Sequence, residues 1–274
     1  MEASLSEPNT LLAVFAHPDD ESLVAGGTLA KYAAESERRR TALLCATRGD
    51  WGPISDDELA DYSNLGEVRE RELRAACEVL GISWLRFLDI EDACVSAVIG
   101  TEDEAVALEK IVRAIRELRP QTIITFGPDG LYGHPDHIAI GQLTAQACRL
   151  AADADVFPQH LTEGLSAHQT AELLFATAPQ GLYSDLLAQL PPSAHLWGIP
   201  PESFGVPAET ITAQVNIAPF WEQKLRALRC HRTQLDADHA FTLLTPELAT
   251  ELLPFEYFRA VEVIGAYQPS YERP

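Results

Sequence analysis

Positive charge is scarce in this chain. Its 274 residues carry 20 Lys+Arg against 41 Asp+Glu, a formal net charge of −21. A field of that sign repels phosphate backbones, so nucleic acid is not an expected partner. Long apolar runs are also missing. No stretch approaches the roughly 20 residues that span a bilayer, and no membrane association is expected. The opening residues, MEASLSEPNT, place no basic segment ahead of a hydrophobic one, so no signal peptide is expected. Cysteine is sparse: Cys45, Cys77, Cys94, Cys148 and Cys230 are odd in number and never form a C-x-x-C pair. This excludes a disulfide framework and a thiolate zinc cluster, and predicts small buried thiols in a reducing, cytoplasmic compartment. No G-x-G-x-x-G follows the first predicted strand, which sets aside a dinucleotide-binding enzyme. Repeats of solenoid period, low-complexity tracts and clear linkers are absent as well.

What is present is a core and an alternation. Hydrophobic residues make up 46% of the chain, enough to exclude general disorder. Leu11 to Ala16, Thr41 to Thr47, Trp84 to Leu88 and Gln121 to Phe126 read as strands. Between and after them, Ser22 to Ala34, Leu65 to Leu80, Ala105 to Leu118 and Asp136 to Leu150 read as helices. Gly81 follows the second helix where a left-handed cap is wanted, and Pro120 stops the third. The strands are apolar throughout rather than alternating, as when both sheet faces are covered. The expected fold is therefore α/β: a Rossmann-like three-layer α/β/α sandwich with a mostly parallel sheet. Further on, Ala171 to Thr177 and Thr210 to Ile217 are expected strands and Pro219 to Arg229 a helix. Residues 179–207, rich in Pro and Gly, read as a loop-dominated excursion over the active face. One domain, 1–274, is expected, with 151–218 as its less regular segment.

Two short segments carry the chemistry: His17-Pro18-Asp19-Asp20-Glu21 and His134-Pro135-Asp136-His137. Each follows a predicted strand and opens a helix, the position where open α/β sheets place their ligands. Taken singly, each has a bland reading, since Asp after Pro at a helix start is an ordinary N-cap. As a pair at equivalent turns they suggest one converged site. Imidazole and carboxylate suit zinc, and a catalytic zinc keeps three protein ligands and one open position. His17 and Asp20 can reach a common ion from one tight turn, and His137 can complete the set. Asp19 is then free to act as general base. His134 is free to stabilise an oxyanion or protonate a leaving amine, with Asp136 orienting it. The same ligands suit ferrous iron or another divalent ion.

The motifs A-H-P-D-D-E and G-H-P-D-H resemble the LmbE-like (PIG-L) N-deacetylases. Thr47-Arg48-Gly49-Asp50 is similar to that family's T-R-G-(E/D) loop, and Gly66 to Leu73 to its G-x-x-R-x-x-E-L helix. Residues Lys224 to His231, with Gln234, resemble its K-x-x-A-L-x-x-H-x-x-Q signature. The likeness covers residues 10–150 and about 219–235. It implies a zinc-dependent removal of acetyl from an N-acetylglucosaminyl-type small molecule, with His17, Asp20 and His137 as ligands and Asp19 as base. It further implies Arg48 at the substrate face and His231 lining the pocket. Gly130 to His134 is similar to mycothiol-pathway deacetylases and amidases, which implies that Tyr132 helps polarise the carbonyl. The alternatives are an amidase for another small-molecule amide, such as a thiol conjugate, and a non-catalytic metal- or sugar-binding protein. The charged stretch Glu67 to Arg74 reads as a solvated helix face. Oligomeric state is open, a homo-oligomer included.

Overall fold

The computed structural model describes residues 9–36 and 38–261. Its elements run β1 (Asn9–Phe15), α1 (Asp20–Ala34), β2 (Arg39–Cys45), α2 (Leu65–Leu80), β3 (Trp84–Phe87), α3 (Glu102–Leu118), β4 (Thr122–Phe126), α4 (Gly130–Gly133), α5 (Pro135–Ala152) and α6 (Gln159–Thr162). They continue with β5 (Glu172–Thr177), α7 (Leu182–Leu187), β6 (Ala213–Asn216), α8 (Trp221–Leu228), α9 (Ala240–Leu243), α10 (Pro246–Leu252) and β7 (Phe255–Val261).

The strands form one seven-stranded sheet in the order β3-β2-β1-β4-β5-β7-β6. The five strands from β3 to β5 are parallel, as expected. β7 pairs antiparallel with both β5 and β6. The chain moves outward from β1 to β3, then crosses back to β4 on the other side of β1. Right-handed crossovers place helices on opposite faces when the direction of winding reverses. The packing agrees: α1, α2 and α8 pack together as one group, α3 against α5 as another. This is the three-layer α/β/α arrangement. The reversal lies between β1 and β4, so the crevice of the fold opens at their carboxyl ends.

β1 shows why the sequence reads so plainly here. Leu11 to Phe15 are all buried, because both faces of a central strand meet helices. α2 ends at Gly81 (φ 76), the left-handed cap expected of it. The largest departures lie at the antiparallel edge. β7 was not foreseen, since Glu256 occupies one of its inward positions and breaks the apolar alternation. That carboxylate is buried but fully engaged. It accepts the N–H groups of Gly27 (2.9 Å) and Thr28 (2.7 Å) and the Lys224 ammonium (2.6 Å). The expected strand Thr210 to Ile217 contracts to β6, because Ala208–Thr210 closes a 3₁₀ turn. All five cysteines are free, three of them buried and Cys94 and Cys230 half-buried. Among the described residues no helix is long and apolar enough to cross a membrane.

Candidate active site

The first site turn joins β1 to α1. Asp19 sits there with φ 113, ψ −28, a left-handed conformation that is strained for any side chain with a Cβ. Surrounding bonds hold it. Its N–H donates to Glu21 Oε2 (3.1 Å) and its carbonyl accepts from Ser22 and Leu23. Its carboxylate accepts from Arg69 Nη2 at 3.1 Å.

The second turn joins β4 to α5. Gly130 (φ 57), Leu131 (φ 68) and Gly133 (φ 86) all adopt positive φ. Asp129 accepts from the Leu131 N–H (3.3 Å) and pairs with Arg259 of β7, so the unforeseen strand buttresses this turn. His134 caps α5 with its ring: Nδ1 accepts from the Asp136 N–H at 3.2 Å. Pro135 follows in the first helical position, where a missing N–H costs nothing. Gly141 lets α5 approach β4, since a Cβ there would lie 2.2 Å from the Phe126 carbonyl oxygen. His137 is thereby seated at the carboxyl end of β4, its ring stacked on Phe126 with centroids 3.9 Å apart and planes 4° from parallel.

The two turns meet. His17 Nδ1 lies 3.3 Å from His137 Nε2 and 3.7 Å from Asp20 Oδ2, and His137 Nε2 lies 3.2 Å from Asp20 Oδ1. Bonds of about 2.0–2.1 Å at tetrahedral angles set ligand atoms roughly 3.3 Å apart. The outer contacts fix the tautomers. His137 Nδ1 donates to the Gly130 carbonyl (3.1 Å). His17 Nε2 faces the carboxylates of Asp92 (3.3 Å) and Asp136 (3.7 Å). Each ring thus turns its other nitrogen toward Asp20, which is the usual arrangement of a metal-binding histidine. His134 also comes close: ring nitrogens of His17, His134 and His137 lie within 4.8 Å of one another. Asp20 is the better third donor, because it brings negative charge and its two oxygens face the two ring nitrogens.

The electrostatics ask for a cation. Burial alone would lower His17, but its bonds to Asp136 and Asp92 and the charge of Asp20 lift it to about 10. Burial likewise opposes ionisation of Asp20, yet His137 and His17 hold its carboxyl at about 2. A surplus of carboxylates therefore binds a proton wherever no metal does, and the donor set fits a divalent ion. Asp19 is different. Burial raises it to about 6 against the pull of Arg69. Burial, then the neighbouring His137 and His17, push His134 down to about 4, so it is neutral near pH 7.

A cavity of about 330 Å³ opens over this cluster, lined by His17, Asp19, Asp20, Arg69, Asp92, Tyr132, His134 and His137 among others. Three expectations meet different surroundings. Arg48 does not line the cavity; it is held by Glu70 (2.6 Å) and Asp89 (2.7 Å) and lies over the Phe87 ring. The residue of its loop that matters to the site is Gly49 (φ 70), where a Cβ would strike the Arg69 guanidinium at 2.3 Å. His231 is fully buried behind the site, its Nε2 3.0 Å from Glu21 Oε1. The Asp136 carboxylate faces His17 and accepts the Ser96 N–H (2.9 Å), leaving only its backbone N–H for His134. Nor is the Glu67 to Arg74 helix face solvated throughout. Arg69 is buried, bonding Pro18 and Gly49 carbonyls besides Asp19, and Glu72 accepts from Thr233. Arg69 and Asp92 are the site residues that sequence reasoning passed over, while Glu21, expected only to favour the helix N-terminus, bonds the Asp19 N–H and His231. The R of the G-x-x-R-x-x-E-L pattern was a signal for the first. Asp92 stands in no pattern.

Comparison with known proteins identifies the family. A family model described as PIG-L, GlcNAc-PI de-N-acetylase, matches residues 12–148. The 1D-myo-inositol 2-acetamido-2-deoxy-alpha-D-glucopyranoside deacetylase of Geodermatophilus obscurus is 34% identical over 279 residues, covering 92% of this chain and 91% of that protein. The mycothiol S-conjugate amidase of Streptomyces coelicolor is 31% identical over 280 residues, covering 90% of each. Among solved structures, N,N'-diacetylchitobiose deacetylase from Pyrococcus horikoshii shares the fold with a TM-score of 0.68 at 19% identity, covering 96% of this chain and 89% of that one. With relatives above 30% identity along nine-tenths of its length, and with both H-P-D turns closing on one cavity, this chain belongs to the PIG-L (LmbE-like) family.

Proposed function

We propose that this protein is a zinc-dependent deacetylase that hydrolyses the acetamide of an N-acetylated amino sugar of the N-acetylglucosaminyl type, in the cytoplasm. The observation that carries the reading is the approach of His17, Asp20 and His137 to tetrahedral spacing beside a carboxylate, Asp19, that is not needed as a ligand. His17, Asp20 and His137 would hold the ion, which supplies Lewis acidity toward the acyl oxygen and lowers the pKa of water.

The chain's own groups do the rest. Asp19 takes the proton of the attacking water. Arg69 at 3.1 Å fixes which way that carboxylate points. His134 is neutral and accepts at Nδ1, so its Nε2 carries the hydrogen and donates to the developing oxyanion. Tyr132, whose ring packs against His134 and His137 with centroids 5.8 and 5.4 Å away, is a second donor. Burial pushes its hydroxyl well above the usual range, so it remains protonated. The leaving amine also needs a proton. Asp19 returns the one it took, and the products are acetate and a free amino sugar. His231 acts behind Asp19, and Arg48 outside the cavity, in this reading.

The test is acetate release from a panel of N-acetyl amino sugars, with and without chelator, alongside metal analysis of the purified protein. Activity that survives complete chelation would overturn the reading. The amidase likeness leaves a second substrate class: release of a larger acid from a thiol-conjugate amide, without acetate, would select it.

A further inference from the structure

One side chain is shared by two cavities. Leu23 lines the catalytic cavity of about 330 Å³ and also a smaller one of about 30 Å³, which it borders together with Tyr183, Trp221, Phe241 and the Lys224–Glu256 pair. The smaller cavity is room for about two waters. Its charged lining residues, Lys224 and Glu256, answer each other at 2.6 Å, and most of the others are apolar. Of the apolar residues lining the catalytic cavity, Leu23 alone is buried, at 7% exposed; Trp51 is exposed, and Tyr132, Trp197 and Ile199 are half-buried. Leu23 therefore stands at the cavity floor, with the buried Asp20 and His137.

Helix geometry puts this side chain beside the chemistry. Leu23 lies in the first turn of α1, three residues after Asp20 and four after Asp19, the spacings that place side chains on one helix face about 5–6 Å apart. Its N–H donates to the Asp19 carbonyl (2.9 Å). An acyl carbon attacked by water that Asp19 deprotonates has to come to this end of the cavity, and the chain on that carbon meets Leu23. Tyr132 continues the same wall. Its ring packs on Phe204 with centroids 5.0 Å apart, and Phe204 packs on Tyr183 at 4.8 Å, the ring that borders the smaller cavity. A wall backed by buried rings accepts a methyl group in contact but resists a longer chain, because a packed interior yields little to added methylenes.

We propose that Leu23 limits the acyl group to acetyl size, by closing off the 30 Å³ cavity that a longer chain would otherwise enter. The position given to the acyl carbon rests on the deacetylase reading; the partition between the two cavities does not. Leu23 touches the acyl chain and moves no proton, so it selects by volume alone. A pocket that measures hydrocarbon in this way discriminates by about 10- to 200-fold per methylene.

The experiment uses the zinc-loaded full chain and three amides: N-acetyl-, N-propionyl- and N-butyrylglucosamine. It reads the glucosamine released, which is common to all of them. In wild type, kcat/KM is expected to fall by about 10-fold or more with each added methylene. Leu23→Ala removes most of the side chain and joins the cavities, so the butyryl-to-acetyl ratio should rise by about 10-fold or more. Leu23→Val disturbs the packing less and should raise the propionyl-to-acetyl ratio, which keeps the test open where the alanine variant does not fold. Equilibrium binding of the same amides to Asp19→Asn, with and without Leu23→Ala, supplies a readout without turnover and should give the same order. Ratios indifferent to Leu23, or a wild type that takes butyryl as readily as acetyl, overturn the partition while glucosamine release stands. No glucosamine from any amide, with the binding order still set by Leu23, overturns the deacetylase reading and leaves the partition in place.

Discussion

His231 Nε2 lies 3.0 Å from Glu21 Oε1, and Glu21 Oε2 accepts the backbone N–H of Asp19 at 3.1 Å. Both side chains are fully buried. A residue 212 positions along the chain (231 − 19) therefore helps to hold Asp19 in its left-handed conformation. The C-terminal signature residue reaches the proposed catalytic carboxylate from behind.

This pair sets a pH dependence of stability. Burial opposes the charge on His231, but the Glu21 charge and hydrogen bond outweigh it and raise its pKa. A group raised in the folded state contributes fully below its unfolded value of about 6.5, and loses that contribution as pH rises through the folded value. The Tm advantage of wild type over His231→Gln should thus be largest below about pH 6.5 and shrink above the raised pKa. Thermal melts across pH 5–10 in wild type and variant check this, and a constant difference contradicts it.

Asp19→Asn removes the proposed base and keeps the proposed metal ligands. Acetate release should fall by about 10²–10⁴-fold, the usual share of general acid–base catalysis, with metal content unchanged. Full activity in that variant would rule out Asp19 as the base.

His17→Ala, Asp20→Ala and His137→Ala should each lose stoichiometric metal, read by elemental analysis. Chelation should abolish wild-type activity, and a divalent ion should restore it. Asp92→Asn and Asp136→Asn remove the support of His17 Nε2 and should weaken metal affinity by about 10- to 100-fold. Competition with a chromophoric chelator measures this.

Two arginines separate cleanly. Arg48 is partly exposed and paired with Glu70 and Asp89, so Arg48→Ala should change kcat/KM by less than about 5-fold, as for exposed ion pairs. Arg69 is buried and bonds Asp19, and its loss should lower kcat by about 10-fold or more, the weight of a charged hydrogen bond. Equal effects from the two would return Arg48 to the substrate face.

The sequence by itself determined the parallel core, the two H-P-D turns and their closure on one crevice. Those follow from local rules: apolar runs of strand length, helical periodicity, and proline and aspartate at helix starts, repeated where the chain direction puts strand ends together. What each site carboxylate faces was decided only by tertiary packing. Asp136 turns to His17 because Ser96 and the helix start take its other groups, and Asp92 arrives from a loop with no pattern of its own. Arg69 looked like one charge among many on a polar helix, until Gly49 and Pro18 supplied the carbonyls that let a guanidinium be buried. Pairing between distant elements leaves no periodic trace in a sequence, because periodicity records which face of an element is covered and not which atom covers it.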